Sequence, residues 1–273
     1  MTVYVRHGGD TTGNGPSPAL WNRADVIEAL AHPDRAYHAF DDFVSFNGLL
    51  TTTVGDYTGQ AGGYYSYQDA SNTITQIATE VGGVISIATD ATDNDESWLQ
   101  LGGSTGVFGK IASTAGKLLI FEARFRISTI ASRNMFIGLA EEGFAVADAI
   151  TDAGAMVTSK DFIGFRSLEG DANGLDTVYQ KASQTTGVVK DDAKTLVAST
   201  WYKVGFVFDP NRVSDAIRFY IDGVKQPDVV ASSVLDDATF PDGEEMTFVA
   251  GVKNGTTTAT VLDLDWFRLF QAR

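Results

Sequence analysis

The chain has 273 residues, 44% of them hydrophobic, a formal net charge of −15 and no cysteine. That length and apolar content support one large core, with 28 glycines against only 6 prolines favouring many strands joined by tight turns. The charge argues against nucleic acid and anionic membrane as partners, and the missing thiols exclude disulfides, cysteine nucleophiles, thiolate zinc sites and iron–sulfur clusters.

The first forty residues differ from the rest. Met1–His7 lacks the apolar run of a secretory leader, and no stretch reaches the ~20 residues of a membrane span, so synthesis in the cytoplasm is expected. Tyr4 and Val5 suit a short strand, and Gly8–Pro18 reads as an extended loop. Asn22 suits the cap of a helix over Arg23–Ala31, with Val26, Ile27 and Leu30 on one face and Pro33 beyond its end. This gives a division into an arm with a short helix, residues 1–39, and a β domain, residues 40–273. The arm is expected to pack on its own domain or on a neighbouring subunit.

From Phe40 onward the pattern is β. Strands are expected at Ile74–Ile77, Val84–Thr89, Trp98–Leu101, Leu118–Ile127, Met135–Ala140 and Phe162–Arg166. Further strands are expected at Thr177–Gln180, Trp201–Phe208, Ala216–Ile221, Thr247–Val252 and Ala259–Phe270, and a short helix or turn near Glu141–Ile150. Val204, Phe206 and Phe208 fall on one face of their strand, so each strand is expected to bury one face and expose the other. Asp222-Gly223 after Ile217–Ile221 signals a hairpin. The expected class is all-β, a two-sheet antiparallel sandwich with an N-terminal arm.

Three stretches carry a resemblance. Phe121-Glu122-Ala123-Arg124-Phe125 resembles an early strand of concanavalin A-like, laminin G-like jelly rolls. Trp201-Tyr202-Lys203-Val204 followed by Ile217–Gly223 resembles their internal hairpin, and Asp265–Gln271 resembles their terminal strand. The layout, including Asp41-Asp42-Phe43, is similar to that of tailed-phage virion structural proteins. The resemblance implies a capsid decoration or cement protein on the virion surface, with the major capsid protein and neighbouring copies of itself as partners. Tyr4, Trp21, Ile27, Leu30 and Phe40 would then be the apolar anchors of the arm.

The jelly-roll group also contains family 16 glucanases, which need Glu-x-Asp-x-(x)-Glu on one strand so that alternation presents two carboxylates together. The corresponding interval here is Met135–Gly143, where Glu141 and Glu142 are adjacent and would point apart. No Ser-His-Asp signature and no P-loop lysine is evident, and the three histidines have no metal spacing. The chain is therefore expected not to be an enzyme and to need no cofactor. Asp93, Asp95 and Glu96 are the ligands a calcium ion would take. Tyr64, Tyr65 and Tyr67 are the candidates for stacking on sugar, with alternation setting Tyr65 apart from the other two. They carry the alternative reading, a lectin-like module of a tail or fibre protein that binds a cell-surface glycan. Asn254-Gly255-Thr256 matches a glycosylation sequon and is read as a turn.

Overall fold

The computed structural model describes residues 13–23, 26–27, 31–46, 49–50, 57–61, 63–80, 82–102, 107–171 and 173–273. Two nine-stranded antiparallel sheets face one another. The first holds β1 (Ala36–Asp41), β2 (Leu49–Leu50), β5 (Thr73–Gln76), β6 (Ile85–Ala88) and β9 (Leu119–Ile127). It is completed by β14 (Tyr202–Phe208), β15 (Ile217–Ile221), β16 (Val224–Val230) and β18 (Val261–Ala272). The second holds β3 (Tyr57–Ala61), β4 (Tyr64–Gln68), β7 (Glu96–Leu101), β8 (Gly109–Lys110) and β10 (Arg133–Glu141). It is completed by β11 (Phe162–Ser167), β12 (Gly174–Gln180), β13 (Gly187–Thr195) and β17 (Glu245–Asn254). The strand orders are 16-15-14-9-18-6-5-2 and 13-12-11-10-17-7-4-3, with β1 beside β18 and β8 beside β17. This is the expected two-sheet jelly-roll sandwich.

Alternation builds the central layer. In β9, Leu119, Phe121, Ala123, Phe125 and Ile127 all enter the core between the sheets. Met135, Ile137 and Leu139 of β10 meet them from the other side, and Phe248 of β17 stacks on Phe267 of β18 at 4.1 Å. The Asp222-Gly223 turn forms as expected, with positive φ of 52° and 75°, the requirement of a type I′ hairpin.

The expectation of one solvated face per strand is corrected at the centre of both sheets. Leu20, Trp21 and Val26 cover the outer face of the first sheet, packing with Ile120, Val207, Tyr220 and Phe270. Leu20 lies directly on Gly205, where a Cβ would come within 2.9 Å of Leu20 Cδ2. The outer face of the second sheet lies under the segment between β10 and β11, residues 142–161. Phe144, Ala145, Ala149, Ile150 and Met156 pack there on Trp98, Phe136, Phe162, Val178 and Val249. The continuous apolar runs Leu119-Ile120-Phe121 and Phe206-Val207-Phe208 are the sequence trace of strands buried on both faces.

The arm resolves differently from its sequence reading. Its first twelve residues, Tyr4 included, and Leu30 lie outside the described residues. A helical turn, α1, spans Pro18–Trp21 ahead of the expected helix, whose described residues Val26, Ile27 and Ala31 are helical, with Ile27 N–H bonding Arg23 O at 3.0 Å. Residues 36–39, assigned to the arm, form β1, which pairs with the C-terminal strand from Ala36↔Ala272 to Asp41↔Phe267. Between Glu141, which ends β10, and Ile150, which bridges to Met156, the chain runs through turns and bends. Among the described residues no helix is long and apolar enough to cross a membrane.

Candidate functional site

The three stretches that carried the resemblance are neighbours in space. β9 pairs with β14 on one side and with β18 on the other, so Arg124, Trp201 and Asp265–Trp266 converge on the outer face of the first sheet. Beside the docked arm they line a cleft of about 350 Å³. Asn14 and Pro16 form its arm-side wall, and Phe40, Asp42 and Glu80 also face it.

Each wall has a local cause. A bulge between Leu264 and Trp266 breaks the alternation of β18 and turns Asp265 toward Arg124, with which it forms an ion pair. The Arg124 and Arg126 guanidinium carbons lie 4.3 and 4.6 Å from the Trp201 ring centroid, fixing the indole against β9. Arg126 also binds Asp263 at 2.7 Å and Glu80 at 2.9 Å. Trp266 donates its Nε1 proton to Asn14 O at 2.7 Å and lies 6.4 Å from Phe40. Asp42 is placed by Asp41-Asp42-Phe43. Phe43, at φ 56°, drops into the core while Asp41 accepts from Phe43 N–H at 2.7 Å and Tyr64 OH at 2.5 Å. Gly83 lets this turn approach, because a Cβ there would stand 2.4 Å from Asp42 O.

The arm wall is pinned from beneath. The buried carboxylate of Glu122 accepts Ser17 N–H at 2.9 Å and Trp21 Nε1–H at 2.7 Å. Lys203 Nζ donates to Gly13 O and Gly15 O at 3.2 and 3.3 Å, and Arg268 lies over the Trp21 ring at 4.2 Å. Burial raises the Glu122 carboxyl above its usual range, opposed by these donors and by Lys203. Burial also raises Asp265, which Arg124 opposes and which Glu80 and Asp42 reinforce.

Most of the residues singled out from sequence fall elsewhere. Trp21 is 1% exposed and holds the arm on its own sheet, so it is an internal anchor instead of a free partner contact. Ile27 and Phe40 are exposed, and Phe40 belongs to the cleft. Tyr64 points into the core, whereas Tyr65 and Tyr67 share the outer face, which corrects the expected grouping. Tyr64 and Tyr67 are 3% and 7% exposed and bond Asp41 and Asp69, so neither offers a ring to a sugar.

The proposed calcium set is also dispersed. Asp93 is exposed on a turn, while Glu96 points beneath the 142–161 strap and accepts Trp98 Nε1–H at 2.7 Å and Asp148 N–H. Burial lifts Glu96 from 4.5 to about 7, against the pull of those donors and of Lys253. Lys253, 1% exposed, binds Asp148 and Asp152 at 2.7 Å each and fastens the strap. The three carboxylates that do converge among the described residues are Asp171, Asp176 and Asp191, and Arg166 already compensates Asp176 at 3.1 Å. Asn254 of the sequon is buried, and its side-chain amide donates to Asp90 O and Thr92 O.

β10, the strand expected to carry a glucanase dyad, turns Phe136 and Ala140 outward under the strap. Its terminal Glu141 bonds Lys160 at 2.9 Å and accepts from Asp161 N–H at 3.2 Å.

No protein-family model matches the chain, and no curated protein matches it in sequence. Solved structures do. A protein of unknown function from Shewanella oneidensis MR-1 is 15% identical over 87% of each chain, with a TM-score of 0.51. The Bacillus licheniformis β-glucanase is 13% identical over 85% of this chain and 97% of its own, with a TM-score of 0.50. The carbohydrate recognition domain of Emp47p is 11% identical over 88% of this chain and 96% of its own, at 0.51. The fold is thus the concanavalin A-like jelly roll, shared with a glucanase and a carbohydrate recognition domain. The expectation that the chain is not an enzyme is corrected by the β-glucanase match. A missing dyad on β10 removes one route to catalysis on this sandwich, and it does not remove catalysis.

Proposed function

We propose that the protein is a carbohydrate-recognising jelly-roll domain that binds a glycan in the cleft beside the docked arm. The observation that carries this reading is the composition of the cleft. The half-buried Trp201 and the exposed Phe40 supply flat apolar faces, and Asp42, Glu80, Arg124 and Asp265 supply hydrogen-bonding groups for hydroxyls. A pyranose has the same two-sided character, an apolar ring face and a polar rim. The volume, about 350 Å³, falls within the ~300–1,000 Å³ of small-ligand sites. The same fold in a carbohydrate recognition domain supports the choice of ligand class. Attachment to a capsid through the arm retains only the resemblance of layout, since Trp21 is used internally.

The test is titration calorimetry against neutral oligosaccharides, with Trp201→Ala and Phe40→Ala as variants. We expect binding by the wild type and at least about a tenfold loss in each variant, the scale of one lost stacking contact. Wild-type binding that both variants retain would place the ligand elsewhere.

A second reading, glycan cleavage in the same cleft, is favoured by the raised carboxyl of Asp265 facing Glu80 and Asp42. A raised acid beside a second carboxyl group is the arrangement that glycoside hydrolysis uses. Release of reducing ends that Asp265→Asn abolishes would support it, and bound but uncleaved oligosaccharide would oppose it.

A further inference from the structure

We infer that the cleft selects its sugar by charge, accepting a cationic amino sugar and rejecting uronates and other anionic glycans. The inference rests on the reading of the cleft as a sugar site and adds the class of sugar.

Three carboxylates line the cleft, those of Asp42, Glu80 and Asp265, against one guanidinium, that of Arg124. Arg124 is committed, because it pairs with Asp265 and lies over the Trp201 ring. Arg126, just behind, is shared between Asp263 and Glu80 and lies over the same indole. No described cation in the cleft is left to meet a ligand carboxylate. Two acidic groups remain available. Asp42 makes no ion pair among the described residues, and Glu80 keeps about a third of its side chain in solvent while one oxygen holds Arg126. Phe40, 47% exposed at the rim, offers an aromatic face to an ammonium. The chain as a whole carries −15, so the surrounding field has the same sign as the cleft. A uronate would thus meet like charge with no partner, whereas a protonated amine would meet the Asp42 carboxylate, the part of Glu80 left in solvent beside its Arg126 pair, and a ring.

The test is calorimetry of the full chain at about pH 6 and low salt with four trisaccharides of equal length. These are a glucosamine trimer, its N-acetylated form, a neutral glucan trimer and a galacturonate trimer. We expect the glucosamine trimer to bind about tenfold more tightly than its N-acetylated form, with the gap closing in about 1 M salt and galacturonate not binding. Asp42→Asn combined with Glu80→Gln should remove the gap, bringing the amine and N-acetyl forms to equal affinity. Equal affinity for the amine and N-acetyl forms, or binding of galacturonate, would overturn charge selection while sparing the sugar site. An amine preference that survives the double variant would assign it to the acidic surface at large and overturn the inference. Failure of all four to bind would sink both readings together.

Discussion

Replacing Trp21 with alanine tests whether the arm belongs to the sandwich. The side chain is 1% exposed, packs with Ile120, Val207, Tyr220 and Phe270, and gives its N–H to buried Glu122 at 2.7 Å. Loss of a buried indole costs about 3–5 kcal/mol, while Trp21→Phe, which keeps a ring but loses the donor, costs about 1–3 kcal/mol. At ~1.4 kcal/mol per decade, the alanine variant weakens arm docking by about two to four orders of magnitude. The arm is one layer on one face, so the loss is expected first as local opening. Three amides report it directly: Leu20 and Trp21 N–H bond Ser17 O at 3.0 and 3.2 Å, and Asn22 N–H bonds Pro18 O at 2.9 Å. Hydrogen exchange at these positions should accelerate at least about a hundredfold in the alanine variant, while the core amides of β9 change less. Glycan affinity should fall in parallel, because Asn14 and Pro16 form a wall of the cleft. Unchanged exchange and an unchanged urea midpoint would refute the docked arm and restore Trp21 as an outward-facing anchor.

Stability should decline as pH rises from about 4.5 to 7. Burial holds Glu96 near 7, and burial with the neighbouring Glu141 holds Asp161 up, so over that window the native state keeps protons that the unfolded chain releases. Glu96→Gln or Asp161→Asn should flatten the slope of urea midpoint against pH, and a wild-type midpoint that climbs with pH would contradict the assignment. Asp148→Asn with Asp152→Asn takes from Lys253 its two carboxylate partners; both carboxylates are largely exposed, so solvent screening holds the cost to about 1–3 kcal/mol. Limited proteolysis should then cut within residues 142–161, and resistance equal to wild type would show that the ion pairs do not fasten the strap. Gly251→Ala places a Cβ 2.2 Å from Trp98 Cε3 and 2.5 Å from Ser97 O, so we expect a loss of about 1–3 kcal/mol and a lower melting temperature. An unaltered Tm would mean that Trp98 has room the packing denies.

Local pattern alone was enough for the class of fold. Period-two alternation in β9, β14 and β15 and the Asp222-Gly223 turn are properties of neighbouring residues, and they specify strands and a hairpin wherever the chain lies. The strand Gly187–Thr195 carries no period-two apolar signal, since Val188 and Val189 are adjacent and Ala193 stands alone in a polar edge sequence. Pairing between strands far apart in sequence decided the rest. Only the register of β9 between β14 and β18 brings Arg124, Trp201 and Asp265 together, and a one-residue bulge, which no periodicity announces, aims Asp265 at Arg124. The burial of Trp21 and Glu96 belongs to the same category. An indole or a carboxylate reads the same in sequence whether water or a folded-over segment covers it, and it took the docking of residues 13–23 and 142–161 on the two sheets to make one a core anchor and the other a raised acid.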